Sequence, residues 1–277
     1  MIDKKLIVYK SNDLIESAYK LTLNEQKFLL ACIGQVNSRE ALTTKDKFEL
    51  SAKDFARIFG IDERGAYDQL IDVAKNLHNR KITIQNNKVK ITTSWVSGFV
   101  EYKDNTGIIG LWFSQPVIPY LSQLKEQFTR YDLADISGMT SIYGIRMYEL
   151  LMQWQSIGKR EIDIAWLKQQ FEIENNYSSI SDLKKYVIEP AVVNLNKHSN
   201  LKVNHTYKKT GRNVTHILFE FKLKPAKKPQ KLSKPKPEPV KVTIDNLDHY
   251  ADLRKKYGDK APIPVDIEAE LKRLGRW

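Results

Sequence analysis

Residues 180–221 read ISDLKKYVIEPAVVNLNKHSNLKVNHTYKKTGRNVTHILFEF, and this stretch decides the fold. Leu183, Val187, Ala191 and Leu195 recur every four residues, so they line one face of a helix, while Asp182, Lys184, Lys185 and Asn194 fall outside that stripe. Residues 201–207 and 214–221 then read as two strands joined by Lys208-Lys209-Thr210-Gly211-Arg212-Asn213, a cationic tip with a glycine for the turn. A helix followed by a hairpin with a basic tip suggests a winged helix. Taken alone, the segment is equally an ordinary solvated helix and hairpin.

Upstream, a weaker version of the same unit appears. Phe48-Glu49-Leu50 is strand-like, Ser51 caps a short helix with Phe55, Ile58 and Phe59 inward, and Gly60 stops it. A helix over 67–79 carries Leu70, Val73, Ala74 and Leu77 on one face and Gln69, Lys75 and Asn76 on the other. Strands over 81–85 and 88–96 follow, with Asn86-Asn87 able to take the positive φ of a tight turn. Displaced by 112 positions, Leu50, Ser51, Phe55, Phe59 and Ile61 fall on Ile162, Asp163, Leu167, Phe171 and Ile173. Displaced by 118 or 119, Leu77, Ile82 and Ile84 fall on Leu195, Leu201 and Val203. Two copies at so long a period indicate a duplicated domain, not a solenoid. The expected fold is α+β, two tandem winged-helix domains over 1–127 and 128–224, then a disordered Lys/Pro linker over 225–241 and a short tail over 242–277.

The remaining elements fit around these. Residues 6–9 form a strand, Ser11-Asn12-Asp13 caps a brief helix reaching Ala18, and Thr22 with Glu25 makes a capping box for a core helix through Val36. A hairpin over 99–102 and 108–113 extends the first sheet; its aromatics favour core or subunit contact over DNA contact. A helix is expected over about 116–127 with Pro116 in its first turn, a strand from 128, and a long core helix from Ser141. Short amphipathic helices over 244–257 and 265–274 complete the tail.

The chain has 277 residues, 45 Lys and Arg against 33 Asp and Glu, a net charge of +12 and a pI near 9.4, which favours a polyanionic partner, nucleic acid before an acidic membrane surface. One cysteine, Cys32, makes no internal disulfide, and the N-terminus lacks an apolar signal core, so a reducing cytoplasm is expected, with no membrane span. Enzymatic machinery is not expected. Gln153 and Arg160 stand where a P-loop ending in Gly158-Lys159 needs Gly and Ser or Thr. The histidines 78, 198, 205, 216 and 249 include no close pair, so no metal site, catalytic centre or cofactor is expected.

Three further stretches carry a family likeness: VYKSNDLIESAYKLTLNEQKFLL (8–30), FTRYDLADISGMTSIYGIRMYELLMQW (128–154) and LKKYVIEPAVVNLNKHSNLKV (183–203). Together they resemble the initiator Rep proteins of iteron-containing, theta-replicating plasmids, over about residues 6–224. The resemblance implies a C-terminal domain that grips repeated origin sequences in double-stranded DNA, and an N-terminal domain that adds DNA contacts and mediates dimerisation. It further implies origin melting, recruitment of host replication factors such as a helicase or chromosomal initiator, and copy control through repression of the initiator's own gene. It makes Pro190 a kink within one helix instead of the start of a new one. In such a domain Ser181, Lys184 and Lys185 would enter the major groove, and Lys208, Lys209, Arg212 and Asn213 would meet phosphates or the adjacent minor groove. Arg64, Tyr67, Gln69 and Asn76 would play the weaker parallel part in the first domain. A dimeric winged-helix transcriptional regulator without replication activity, and a DNA-nicking enzyme, are the competing readings.

Overall fold

The computed structural model describes residues 5–102, 107–225, 251, 255 and 271–275. It divides into a unit over Met1–Lys224 and a second over Pro225–Trp277. In the second, residues 271–273 are helical with Leu271 buried; the expected linker and most of the expected tail helices lie outside the described residues.

The first unit opens with β1 (Ile7–Ser11), whose strict alternation buries Val8 and, less expectedly, Lys10. Ser11 caps α1 (Asn12–Ile15), accepting from the Leu14 N–H. This helix ends before the expected Ala18, because Ala18 pairs its backbone with Thr83 instead. The capping box of α2 (Leu23–Ile33) is present: the Thr22 hydroxyl accepts from Glu25 N, and the Glu25 carboxylate accepts from Thr22 N. Thr22→Ala is expected to cost about 1 kcal/mol, seen as a lower denaturant midpoint with an unchanged m-value.

Then come β2 (Phe48–Ser51), α3 (Ala52–Phe59), ended by Gly60 at φ +63°, and α4 (Ala66–Asn79). Two hairpins follow: β3 (Lys81–Gln85) with β4 (Lys90–Ser94), and β5 (Val96–Glu101) with β6 (Ile108–Phe113). The rest is β7 (Phe128–Asp132), α5 (Ile142–Met152), β8 (Lys159–Asp163), α6 (Ile164–Gln170), α7 (Ile180–Leu183), a π-helical stretch over Lys184–Ile188, α8 (Glu189–His198), β9 (Leu201–Thr210) and β10 (Asn213–Leu223).

The duplication is visible in sheet topology. β2-β6-β5 and β8-β10-β9 have the same order, each with its first strand against the second strand of a hairpin, which is central in the sheet. Thus α2, β2, α3, α4, β5 and β6 match α5, β8, α6, the 180–198 helix, β9 and β10. This corrects one expected correspondence. The strand matching β9 is β5, not β3, so the aromatic hairpin is the first domain's wing. The β3–β4 hairpin forms a separate two-stranded sheet, an insertion with no counterpart between α8 and β9. Its tip also differs: neither Asn86 nor Asn87 takes positive φ, and the Asn86 side chain closes the turn by accepting from Lys88 N and Val89 N.

β1 and β7, far apart in the chain, pair antiparallel from Ile7 with Asp132 to Ser11 with Phe128. Where a helix was expected over 116–127, only a 3-10 turn at Ile118–Tyr120 forms. Pro119 removes a second N–H, and Gln123 and Gln127 sit at φ +53° and +50°, incompatible with a helix.

Candidate nucleic-acid interface

The 180–198 helix is held from below. Leu183, Val187, Ala191 and Leu195 are all buried, as their spacing requires. Ser179 caps it, accepting from Asp182 N at 3.0 Å. Pro190 has no N–H for the Tyr186 carbonyl, and the helix passes this point by widening: the Glu189 N–H bonds to the Lys184 carbonyl five residues back. The chain stays helical on both sides, so a single helix spans the proline. Asn194, outside the apolar stripe, nevertheless turns inward; its amide donates to the Thr140 hydroxyl and its oxygen accepts from Thr140 N. A Cβ at Gly144 would lie 3.0 Å from that oxygen, so α5 and α8 approach closely only because position 144 is glycine. At the far end Asn196 exchanges two 2.8 Å bonds with the Val203 backbone, and the Lys224 ammonium donates to the Asn196 and Ser199 carbonyls.

What remains outward is the candidate interface. Ser181, Lys185, Tyr186, Glu189 and Val193 are exposed along the helix. Lys184 is half-buried, its ammonium 3.8 Å from the centre of the Tyr207 ring. The Tyr207 hydroxyl donates to a Glu189 carboxylate oxygen at 3.0 Å, and His205 Nε2 stands 3.1 Å from the same oxygen. Burial, with the Glu189 carboxylate beside it, pushes the Tyr207 phenol well above its ordinary value, so it remains a proton donor. Sequence reasoning missed this cluster, although alternation along β9 puts His205 and Tyr207 on the face turned to the helix.

The wing is longer and tighter than the sequence implied. Both strands run to the tip, leaving only Gly211, at φ +62°, and Arg212 between them. Lys209, Arg212 and Asn213 are exposed there. Lys208 lies within β9 and is ion-paired with Glu161.

In the first domain the corresponding residues are dispersed. Arg64 precedes α4 and pairs with Asp62 at 3.1 Å, and Tyr67 is half-buried with its hydroxyl donating to the Tyr102 carbonyl. Gln69 and Asn76 are exposed, but between 62 and 76 they share the surface with Asp62, Glu63, Asp68 and Asp72 against two cations, Arg64 and Lys75. No group of three or more His, Cys, Asp or Glu able to hold a metal occurs among the described residues.

A duplicated helix-turn-helix with a wing on each copy, one copy presenting a cation-rich helix and wing tip, defines a winged-helix nucleic-acid-binding protein. Residues 7–152 match the model described as "Initiator Replication protein, WH1" and residues 163–221 that described as "Initiator Rep protein, WH2", and the chain belongs to this initiator Rep family. It is 29% identical over 228 residues to a replication initiation protein of Escherichia coli, covering 79% of this chain and 70% of that protein. It is 23% identical over 257 residues to the PI protein of Escherichia coli, covering 79% of this chain and 84% of the relative. Among solved structures, a crystal structure of the Pi initiator protein in complex with iteron DNA superposes with a TM-score of 0.69 at 21% identity, covering 80% of this chain and 99% of that one. No helix among the described residues is long and apolar enough to cross a membrane.

Proposed function

We propose that this protein initiates replication of a plasmid by binding directly repeated origin sequences in duplex DNA, in the cytoplasm and without chemistry of its own. The observation that carries this reading is the exposed face of the 180–198 helix. Ser181 and Lys185 stand exposed at its N-terminal end, and Lys209, Arg212 and Asn213 are exposed at the wing tip. A winged helix offers that end of its recognition helix to base edges and its wing to the backbone. The likeness in fold to an initiator crystallised on iteron DNA supports the same mode here.

In this reading residues 128–224 hold the repeat, and residues 1–127 add DNA contacts, with Arg64, Gln69 and Asn76 as candidates, and mediate dimerisation. The monomer opens the origin and recruits a host helicase or chromosomal initiator; the dimer represses the initiator's own gene. Opening a duplex without a nucleotide motor requires that binding energy from several protomers offset the unpairing cost. The test is footprinting on the DNA flanking the gene. Protection of direct repeats of roughly twenty base pairs, about two helical turns, is expected. Equal affinity for those repeats and for unrelated duplex would end the proposal.

A further inference from the structure

We infer that the inserted β3–β4 hairpin is a second DNA-gripping prong, one that takes the phosphates of the duplex held by the C-terminal domain. The inference rests on the duplex-binding reading and adds where the first domain makes its grip.

Charge is the first observation. Between positions 73 and 100 the chain contains no Asp or Glu, yet carries Lys75, Arg80, Lys81, Lys88 and Lys90. Arg80 is used internally, its guanidinium donating twice to Glu25 at 3.0 Å. Lys81 donates to the Ser94 hydroxyl, and Lys88 and Lys90 have no carboxylate partner among the described residues. The recognition-helix position of the same domain is acidic by comparison, since Asp62, Glu63, Asp68 and Asp72 surround Gln69 and Asn76. A polyanion approaching the first domain is therefore drawn to the hairpin before α4.

Position is the second. The hairpin buries Ile82 and Ile84 and turns Lys81, Gln85, Lys90 and Thr92 to solvent. It is fixed in place by the backbone bridge from Ala18 to Thr83 and by Asn86 Nδ2 donating to the Asp13 carboxylate at 2.8 Å. Beside it runs a polar cleft of about 220 Å³, with Gln85, Asn87 and Lys90 on one wall and Trp166 and Gln169 of α6 on the other. Glu16, also on the cleft, is engaged by Arg160 at 2.6 Å. Now α6 is the first helix of the second domain's helix-turn-helix, the one that crosses the DNA backbone when its partner helix enters the groove. A basic hairpin alongside that helix lies next to the phosphates it crosses. Lysine also suits a phosphate contact that carries no sequence information.

The experiment compares Lys88→Ala/Lys90→Ala with wild type on repeat-containing duplex over a salt series, with circular dichroism to confirm the fold. Both positions are exposed, so stability should hold. The expected result is binding weaker on the order of tenfold near 0.15 M salt and a log K against log salt slope shallower by about two units. In parallel, Asn87→Cys carries a tethered backbone-cleaving chelate; the sole native thiol, Cys32, is fully buried and does not compete. Cleavage confined to the edge of the footprint is expected. An unchanged slope, or cleavage nowhere on the duplex, overturns the assignment. An altered oligomeric state in sedimentation with an unchanged slope assigns the hairpin to a protein contact and overturns it equally. If wild type binds the repeats and Lys184→Ala/Lys185→Ala weakens it while the hairpin variant does not, only the prong falls. Wild type that binds no duplex removes the functional reading and the prong together.

Discussion

Replacing Glu149 by Ala is expected to destabilise the protein by about 3–5 kcal/mol, far more than a surface substitution costs. Both carboxylate oxygens of Glu149 face the Lys10 ammonium, at 2.9 and 3.1 Å, and one also accepts from the Tyr131 hydroxyl at 2.7 Å. Lys10 is 1% exposed and Glu149 not at all, so truncating the acid strands a cation in a pocket walled by Tyr19 and Trp95, whose rings lie 5.8 and 6.0 Å from it. The three groups come from β1, α5 and β7, segments distant in the chain that this network ties together. Breaking the pair should therefore loosen the junction of these three segments as well as lower global stability. Urea unfolding reads the first effect in the loss of a single cooperative transition and the second in the midpoint. The triple replacement Lys10→Met/Tyr131→Phe/Glu149→Leu removes every polar group at once and should recover most of the deficit, since an apolar isostere avoids the desolvation cost. A Glu149→Ala midpoint equal to wild type would mean that the pair is not a buried charge pair at all.

That network also marks where sequence stops being informative. The apolar stripe through Leu183, Val187, Ala191 and Leu195, the caps at Thr22 and Ser51, and the stop at Gly60 are local signals, and all stand in the structure. Lys10 is different. Within LIVYKSND it falls just past the strand expected over 6–9, and its partner is 139 residues away. Arg146 reads as a polar break in an apolar helix, yet its guanidinium donates to the backbone carbonyls of Ile15, Ser17 and Gln170 and lies 3.6 Å from the Tyr19 ring centre. The wing of the first domain is misplaced by sequence for a related reason. Ile82 and Ile84 alternate as a wing strand should and follow their helix directly, as β9 follows α8. What settles the matter is the pairing of Leu50 with Ile109 and of Phe48 with Leu111 across β2 and β6, two segments distant in the chain. Local propensity gives two acceptable hairpins, and tertiary pairing chooses between them. The site is legible in outline only: spacing locates the helix and wing, but not the cluster of Tyr207, His205 and Glu189 that fixes Lys184.

On the recognition helix, Lys184→Ala/Lys185→Ala is expected to weaken binding to the origin repeats and to reduce the salt slope by about one unit for each phosphate no longer neutralised. The structure divides this effect between the two positions. Lys185 is exposed, so Lys185→Ala alone should remove its unit of slope and leave stability untouched. Lys184 rests on the Tyr207 ring, so Lys184→Ala should also cost about 0.5–1 kcal/mol of stability, the cation–π interaction at a partly exposed site. Tyr207→Phe separates positioning from charge. It keeps the ring under Lys184 and removes only the hydroxyl that holds Glu189, leaving His205 as the remaining partner of that carboxylate. Because every cation stays in place, its slope should match wild type. Any change should emerge in the preference among repeat sequences, since a carboxylate held by His205 alone presents a different acceptor to cytosine amino groups in the groove. A Tyr207→Phe protein whose salt slope falls along with that of Lys184→Ala would show that the phenol supports the lysine electrostatically, and the carboxylate would then have no part in reading sequence. An unaltered slope in the double lysine variant, measured on a duplex that wild type protects, would move the contact surface off this helix altogether.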